Sequence, residues 1–233
     1  MNRKLYAVHR WISLVALLQL LAWSVSGLFF SAVPRPRVMG RAVAGAHERP
    51  LAGVAPSSIA ALVEQAKARG VGDVRRIEVR GSRAGDVAIV TGSEGRVRLD
   101  AATAEPKPVD ADEAKATASA DQPSSPAASS VERVERAPPI EYRDKPLPAW
   151  RVTLADGAGT VVYVDAVTGD VTARRNDTWR IYDFLWSLHI MAYRDREDFR
   201  HPLLIGAAGL ATATALSGLV LWVTRVARRR RAK

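Results

Sequence analysis

The sequence predicts an α+β protein: two transmembrane helices flanking a tandem of small units, each with one helix on an antiparallel sheet. Three observations carry that prediction. Long apolar stretches, Trp11–Val33 and Leu203–Thr224, lie towards the two ends of the chain, and neither holds a charge. Between them, short alternating segments are separated by Gly-Ser-Arg-Ala-Gly and Gly-Ser-Glu-Gly, the composition of hairpin turns. Leu99-Asp100-Ala101-Ala102-Thr103-Ala104-Glu105 also aligns with Val164-Asp165-Ala166-Val167-Thr168-Gly169-Asp170, and self-similarity of this kind implies two copies of one unit.

The net charge of +10 over 233 residues raises the question of nucleic acid, and its distribution answers it. Residues 1–10 hold Arg3, Lys4 and Arg10 without an acid, and residues 225–233 hold six basic groups without one. Everything between is nearly neutral. The excess belongs to two membrane-flanking tails, which contact anionic headgroups and set orientation, so no nucleic-acid partner is expected. There is no cysteine, which excludes disulfides, thiolate zinc sites and iron–sulfur clusters.

Residues 1–10 read as a cytoplasmic tail and 11–33 as the first transmembrane helix, closed by Pro34. A signal peptide has a shorter apolar region and a small-x-small cleavage site, whereas this stretch ends in Leu28, Phe29 and Phe30, so an uncleaved anchor is expected. Residues 34–56, rich in Pro, Arg, Gly and Ala, form a tether in which His47 reads as a solvated loop histidine. The first soluble unit covers 57–108. Ser57 or Ser58 caps a helix that shows Ile59, Leu62, Val63 and Ala66 on one face and stops at Gly70. Strands are expected at Val74–Arg80, Asp86–Thr91 and Arg96–Asp100.

The second unit covers 109–176. Asp110 with Glu113 makes a capping box opening a helix to about Ser119. Residues 120–130 are low-complexity and read as a mobile loop. Strands are expected at Val131–Arg136, Ile140–Arg143, Trp150–Leu154 and Thr160–Val164. Residues 177–200 then supply an apolar helix too short to span, with Trp179, Tyr182, Trp186, His189, Ile190 and Tyr193 on one face, expected to lie at the outer membrane surface. Residues 201–224 form the second transmembrane helix. At ~1.5 Å per residue, its apolar stretch rises roughly 33 Å, enough for a ~30 Å hydrocarbon core. Residues 225–233 form the basic cytoplasmic tail. Both termini are thus expected inside, with the bulk of the chain periplasmic.

Ala22 and Ser26 in the first span, and Gly209, Ala213 and Ser217 in the second, predict close packing of the spans on each other or on a second copy. Asp100 and Asp165 invite a metal or catalytic reading, but an Asp at a strand end bonds nearby backbone, and Gly169 suits a positive φ, so a turn explains them better.

Trp150-Arg151-Val152 followed by Val162-Tyr163-Val164-Asp165-Ala166-Val167-Thr168-Gly169-Asp170-Val171 resembles the end of a PepSY domain. Val8-His9-Arg10-Trp11, Leu188-His189 and Ser217-Gly218-Leu219-Val220-Leu221-Trp222 resemble the PepSY-associated transmembrane family. The first copy departs from the motif, with Ala104 where it has glycine. The resemblance implies a module that binds an exported peptidase, and it marks His9 and His189 as family positions.

Some relatives resemble haem-bearing reductases, which makes haem b an alternative cofactor and His9, His189 and His201 its candidate ligands. His189 and His201 fall near the outer face and can share one haem, whereas His9 lies about 30 Å away across the bilayer. No nucleophile–base pair, phosphate loop, metal-spaced histidine cluster or nicotinamide fingerprint stands in the sequence, so the chain is expected to bind rather than catalyse.

Overall fold

A computed structural model describes residues 3–40, 49–53 and 57–231, and His47 lies outside them. The chain divides into two compact units, Met1–Arg35 with Ile181–Lys233, and Pro36–Arg180. In order, the elements are α1 (Arg3–Ala32), α2 (Arg35–Val38), α3 (Ile59–Ala68), β1 (Val74–Ser82), β2 (Gly85–Gly92), β3 (Arg96–Asp100) and α4 (Ala111–Ala120). Then come β4 (Ala128–Val134), a 3-10 turn at Ile140–Tyr142, β5 (Ala149–Leu154), β6 (Val161–Asp165), β7 (Val171–Arg175), α5 (Asp177–His189) and α6 (Pro202–Arg231).

Two helices are long and apolar enough to cross a membrane, over Trp11–Ala32 and Pro202–Val220, with mean hydropathies of 1.9 and 1.8. Among the described residues, only 11% of the first apolar span and 6% of the second is buried by protein, which no core helix of a water-soluble fold would tolerate. Leu14, Leu17, Leu18, Leu21 and Leu28 stand exposed on α1, and Leu203, Ile205, Leu216 and Leu219 on α6. The hydroxyls in these helices are satisfied internally: Ser24 donates to Leu20 O at 2.9 Å, and Thr212 and Thr214 donate to Ala208 O and Leu210 O at 2.8 Å.

Within this unit the helices bury Ala16 and Ser26 of α1 and Ala211 of α6. Of the two packings expected for the Gly209–Ala213–Ser217 stripe, the one against the first span is not made. A Cβ at Gly209 would meet nothing within 4 Å, because the face turned inward carries Ala211, about half a helical turn away.

In the other unit, Ser58 caps α3 by accepting from Ala61 N at 3.1 Å. Leu62 and Ala66 of α3 pack on Ala88, Val90 and Leu99 of a three-stranded antiparallel sheet ordered β1-β2-β3. Asp110 caps α4 by accepting from Glu113 N at 2.7 Å. Ala114 and Ala118 then cover Val152, Leu154, Val162 and Val164 of a four-stranded sheet ordered β4-β5-β6-β7. Only half of the capping box is made, because the Glu113 carboxylate turns instead to Arg98, 2.7 and 2.8 Å from its guanidinium.

Two expectations fail here. Ile140–Arg143 is not a strand: after Pro138 and Pro139 the chain makes a 3-10 turn that lays Tyr142 flat on Tyr163, ring centroids 4.2 Å apart at 14°. Nor is 120–130 a loop throughout. α4 reaches Ala120 and β4 opens at Ala128, while buried Asp121 is tied to Arg174, and Ser119 Oγ donates to Pro126 O at 2.8 Å. The strand β7, which the sequence reading missed, completes the second sheet against Val161–Val164.

The two sheet ends close in the same way. Asp100 Oδ1 accepts from Ala102 N and Thr103 N at 2.9 and 3.1 Å, and Asp165 Oδ1 accepts from Val167 N and Thr168 N at 2.8 and 2.9 Å. The fifth residue of each turn has positive φ, 59° at Ala104 and 80° at Gly169. Both aspartates therefore do the backbone work their position predicts.

The second oxygen of each aspartate takes a cation. Lys107 donates to Asp100 at 2.7 Å and Arg96 to Asp165 at 3.0 Å. The Lys107 hydrogen bond, helped by the turn's N–H groups, holds the Asp100 carboxyl down at about 2. A depressed folded value adds stability above the ordinary carboxylate value of ~3.9 and loses it as pH falls towards 2. In Lys107→Met, acid unfolding is expected to begin at higher pH and to be shallower across that window. A pH series of urea midpoints checks this, and identical curves for the two proteins would refute it.

Candidate functional site

The face of the first sheet opposite α3 is charged. Strand alternation puts Ile77 and Val79 in the core, so Arg76, Glu78 and Arg80 turn away from it, joined by Arg96 and Arg98 of β3 in register across β2. That face meets the second half of the same unit through ion pairs. Arg98 forks onto Glu113 of α4, Arg96 meets Asp165, and Arg80 reaches Asp170 at 2.8 Å and also donates to Thr168 O.

Beside these pairs lies a cleft of about 700 Å³ between β1, the face of α4 that carries Glu113 and Thr117, and the β6–β7 turn. Arg49, Arg80 and Arg83 line it with Glu78, Glu113 and Asp170. All three acids are engaged: Glu113 by Arg98, Asp170 by Arg80, and Glu78 by Arg76 at 2.7 Å. Among the described residues, Arg49 and Arg83 have no acidic partner. Arg83 is exposed as a residue, yet partial desolvation in the cleft and the neighbouring Arg49 charge push its guanidinium below its ordinary value, against a smaller pull from Glu113, which lies beyond ion-pair distance.

The cleft wall includes a piece of chain alongside the sheet edge. Arg49 forms an antiparallel bridge with Gly81, and Asp86 accepts from Ala52 N at 2.9 Å. A Cβ on Gly81 would sit 2.5 Å from Pro50 O and 2.6 Å from Arg49 O, so only glycine allows this approach. Sequence reasoning missed the cleft because its arginines are scattered along the chain. The one readable signal was the Arg76-x-Glu78-x-Arg80 alternation, which marks a charged sheet face.

The candidate histidines belong to the other unit. Ser26 Oγ lies 2.7 Å from His189 Nδ1 and 2.7 Å from Ala22 O. With the hydroxyl proton given to the carbonyl, His189 donates through Nδ1–H and keeps its lone pair on Nε2. Trp23 Nε1 donates to His189 O at 2.7 Å, Trp186 stacks parallel to the imidazole at 6.5 Å, and Phe30 meets it edge-on at 5.5 Å. Burial pushes the His189 imidazole below its ordinary value, favouring the neutral ring.

His201 is differently placed. Its Nε2 donates to Ile190 O at 2.8 Å and its Nδ1 accepts from Leu204 N at 3.4 Å, so both nitrogens are spent at the start of α6. His9 lies in α1, seventeen residues or about 25 Å of helix from Ser26. Of the two histidines whose side chains are described, His189 keeps a lone pair free and His201 does not, and the fold does not bring the three candidates together. Among the described residues, no group of three or more His, Asp or Glu side chains could hold a metal ion.

The family model described as "PepSY-associated TM region" matches residues 6–233. The chain belongs to that family. No curated protein and no solved structure is significantly similar to it. For this PepSY-associated protein, membership joins the two lipid-compatible helices to the folded unit between them, so it is a membrane protein.

Proposed function

We propose that this is a two-pass protein of the bacterial inner membrane, with both termini cytoplasmic, that holds residues 36–180 in the periplasm as a binding module. It works by association rather than catalysis. The observation that carries this reading is a folded unit set in the chain between two apolar helices, the second running directly into Arg225 and Arg228–Arg231. Residues 57–108 and 109–176 act as two PepSY-like units, a reading supported by their matching turns and by one helix on each sheet. By family resemblance the partner is an exported peptidase, and the outer strands β1, β4 and β7 supply edges to which an extended segment can add.

The lack of cysteine makes the topology directly testable. An impermeant maleimide is expected to label Ala158→Cys in intact cells and Ala232→Cys only after permeabilisation. The reverse pattern overturns the proposal. Cross-linking through Ser129→Cys on β4 is expected to recover an exported protein; a second copy of the chain as sole product would make the partner itself.

A second reading, a haem-bearing electron-transfer component, is favoured by one observation: among the described residues His189 Nε2 has no hydrogen-bond partner, while Nδ1 is held by Ser26. That nitrogen would hold the haem iron, with Ser26 fixing the imidazole tautomer, and haem would supply one-electron chemistry. A Soret band lost in His189→Ala would support it, and a colourless preparation from haem-replete cells would remove it.

A further inference from the structure

Resting on the partner-binding reading, we propose that the cleft beside β1 takes an extended peptide by holding one of its acidic side chains between Arg49 and Arg83. Three features of the cleft point there. Its volume of about 700 Å³ lies within the range of ligand sites and would accommodate a few peptide residues. Its acids are neutralised by arginines already in place, while Arg49 and Arg83 stand exposed and unpaired among the described residues. The charge left for a ligand is therefore positive, and a carboxylate meets a guanidinium through two parallel charge-assisted hydrogen bonds.

The third feature selects a peptide over a free anion. β1 is an outer strand of its sheet, and among the described residues its only added neighbour is Arg49 at Gly81. The chain's own backbone thus already lies in strand fashion at one end of this edge. From Val74 to Arg80 the edge takes no further strand among the described residues, and Glu78, Val79 and Arg80 line the cleft. A segment pairing there would carry alternate side chains into the cleft, at the spacing that brings an acid to Arg49 and Arg83.

The test uses the full chain in neutral detergent micelles and fluorescence anisotropy of labelled six-residue peptides. Valine alternates with glutamate in one, with glutamine in the second and with lysine in the third. The glutamate peptide is expected to bind about tenfold tighter than the glutamine one, the lysine peptide weakest, with the preference falling as salt rises. Arg49→Gln with Arg83→Gln should abolish the preference for glutamate over glutamine, while Lys67→Gln, at an exposed position of α3, should change nothing. Equal affinity for glutamate and glutamine peptides, or a preference surviving the double substitution, overturns the acidic site but leaves partner binding standing. Free glutamate as tight as the peptide makes the cleft a small-anion site and overturns the peptide assignment. If none of the peptides binds, the edge-pairing part of the partner reading falls as well.

Discussion

Arg98→Met is expected to destabilise the Pro36–Arg180 unit by about 3–5 kcal/mol, the usual cost of removing one partner from a buried ion pair. The Arg98 and Glu113 side chains are only 1% and 9% exposed, and Arg98 Nη2 also donates to Ser82 Oγ at 2.8 Å. Taking the guanidinium away strands a carboxylate between the first sheet and α4, where it is 9% exposed and water reaches it only from the cleft side. The native pair is not ideal, since among the described residues Arg98 Nε has no hydrogen-bond partner. Arg98→Met combined with Glu113→Leu should therefore recover most of the loss, because an apolar pair of similar volume escapes the desolvation penalty. Urea unfolding followed by tryptophan fluorescence reads both proteins. A double variant no more stable than Arg98→Met would show that the charges themselves are needed.

Gly92→Ala is expected to cost about 2–4 kcal/mol, from overpacking plus lost hydrogen bonds. A Cβ there would stand 2.3 Å from Val71 O and 2.8 Å from Asp73 O, both backbone atoms that cannot swing aside. The same two carbonyls accept from Glu94 N and Ser93 N at 3.0 Å, so moving them unlocks the turn between β2 and β3. Gly95, three residues on, has nothing within 4 Å of its Cβ position, and Gly95→Ala serves as the matched control. Equal midpoints for the two variants would refute the close-approach argument.

These two positions show where legibility ended. The helix starts at Ser58 and Asp110 could be read because capping is local, as could strand β3, Arg96–Asp100, from its alternation and flanking turns. The twin Asp turns were readable for the same reason: each aspartate bonds N–H groups two and three residues ahead. Ile140–Arg143 does not form the expected strand because Tyr142 stacks on Tyr163, 21 residues away, which no local pattern announces. Glu113 was assigned to its own cap, yet an arginine from a neighbouring strand outcompeted the backbone N–H for its carboxylate.

The site divides along the same line. His189 and His201 look alike as membrane-flanking histidines, and only the fold separates one with a free lone pair from one with both nitrogens spent. Arg49 and Arg83 could be distinguished from other surface arginines only once the acids around them had been matched elsewhere.

Sequence alone determined the two apolar helices, the basic tail behind the second and the turns, because each depends on residues close together in the chain, and it determined the family through several such local motifs in order. Tertiary structure alone decided which face of α6 packs on α1, which acids are neutralised and which arginines are left over. The physical reason is that burial and charge pairing are settled among groups distant in the chain, and a linear pattern carries no record of which of them meet.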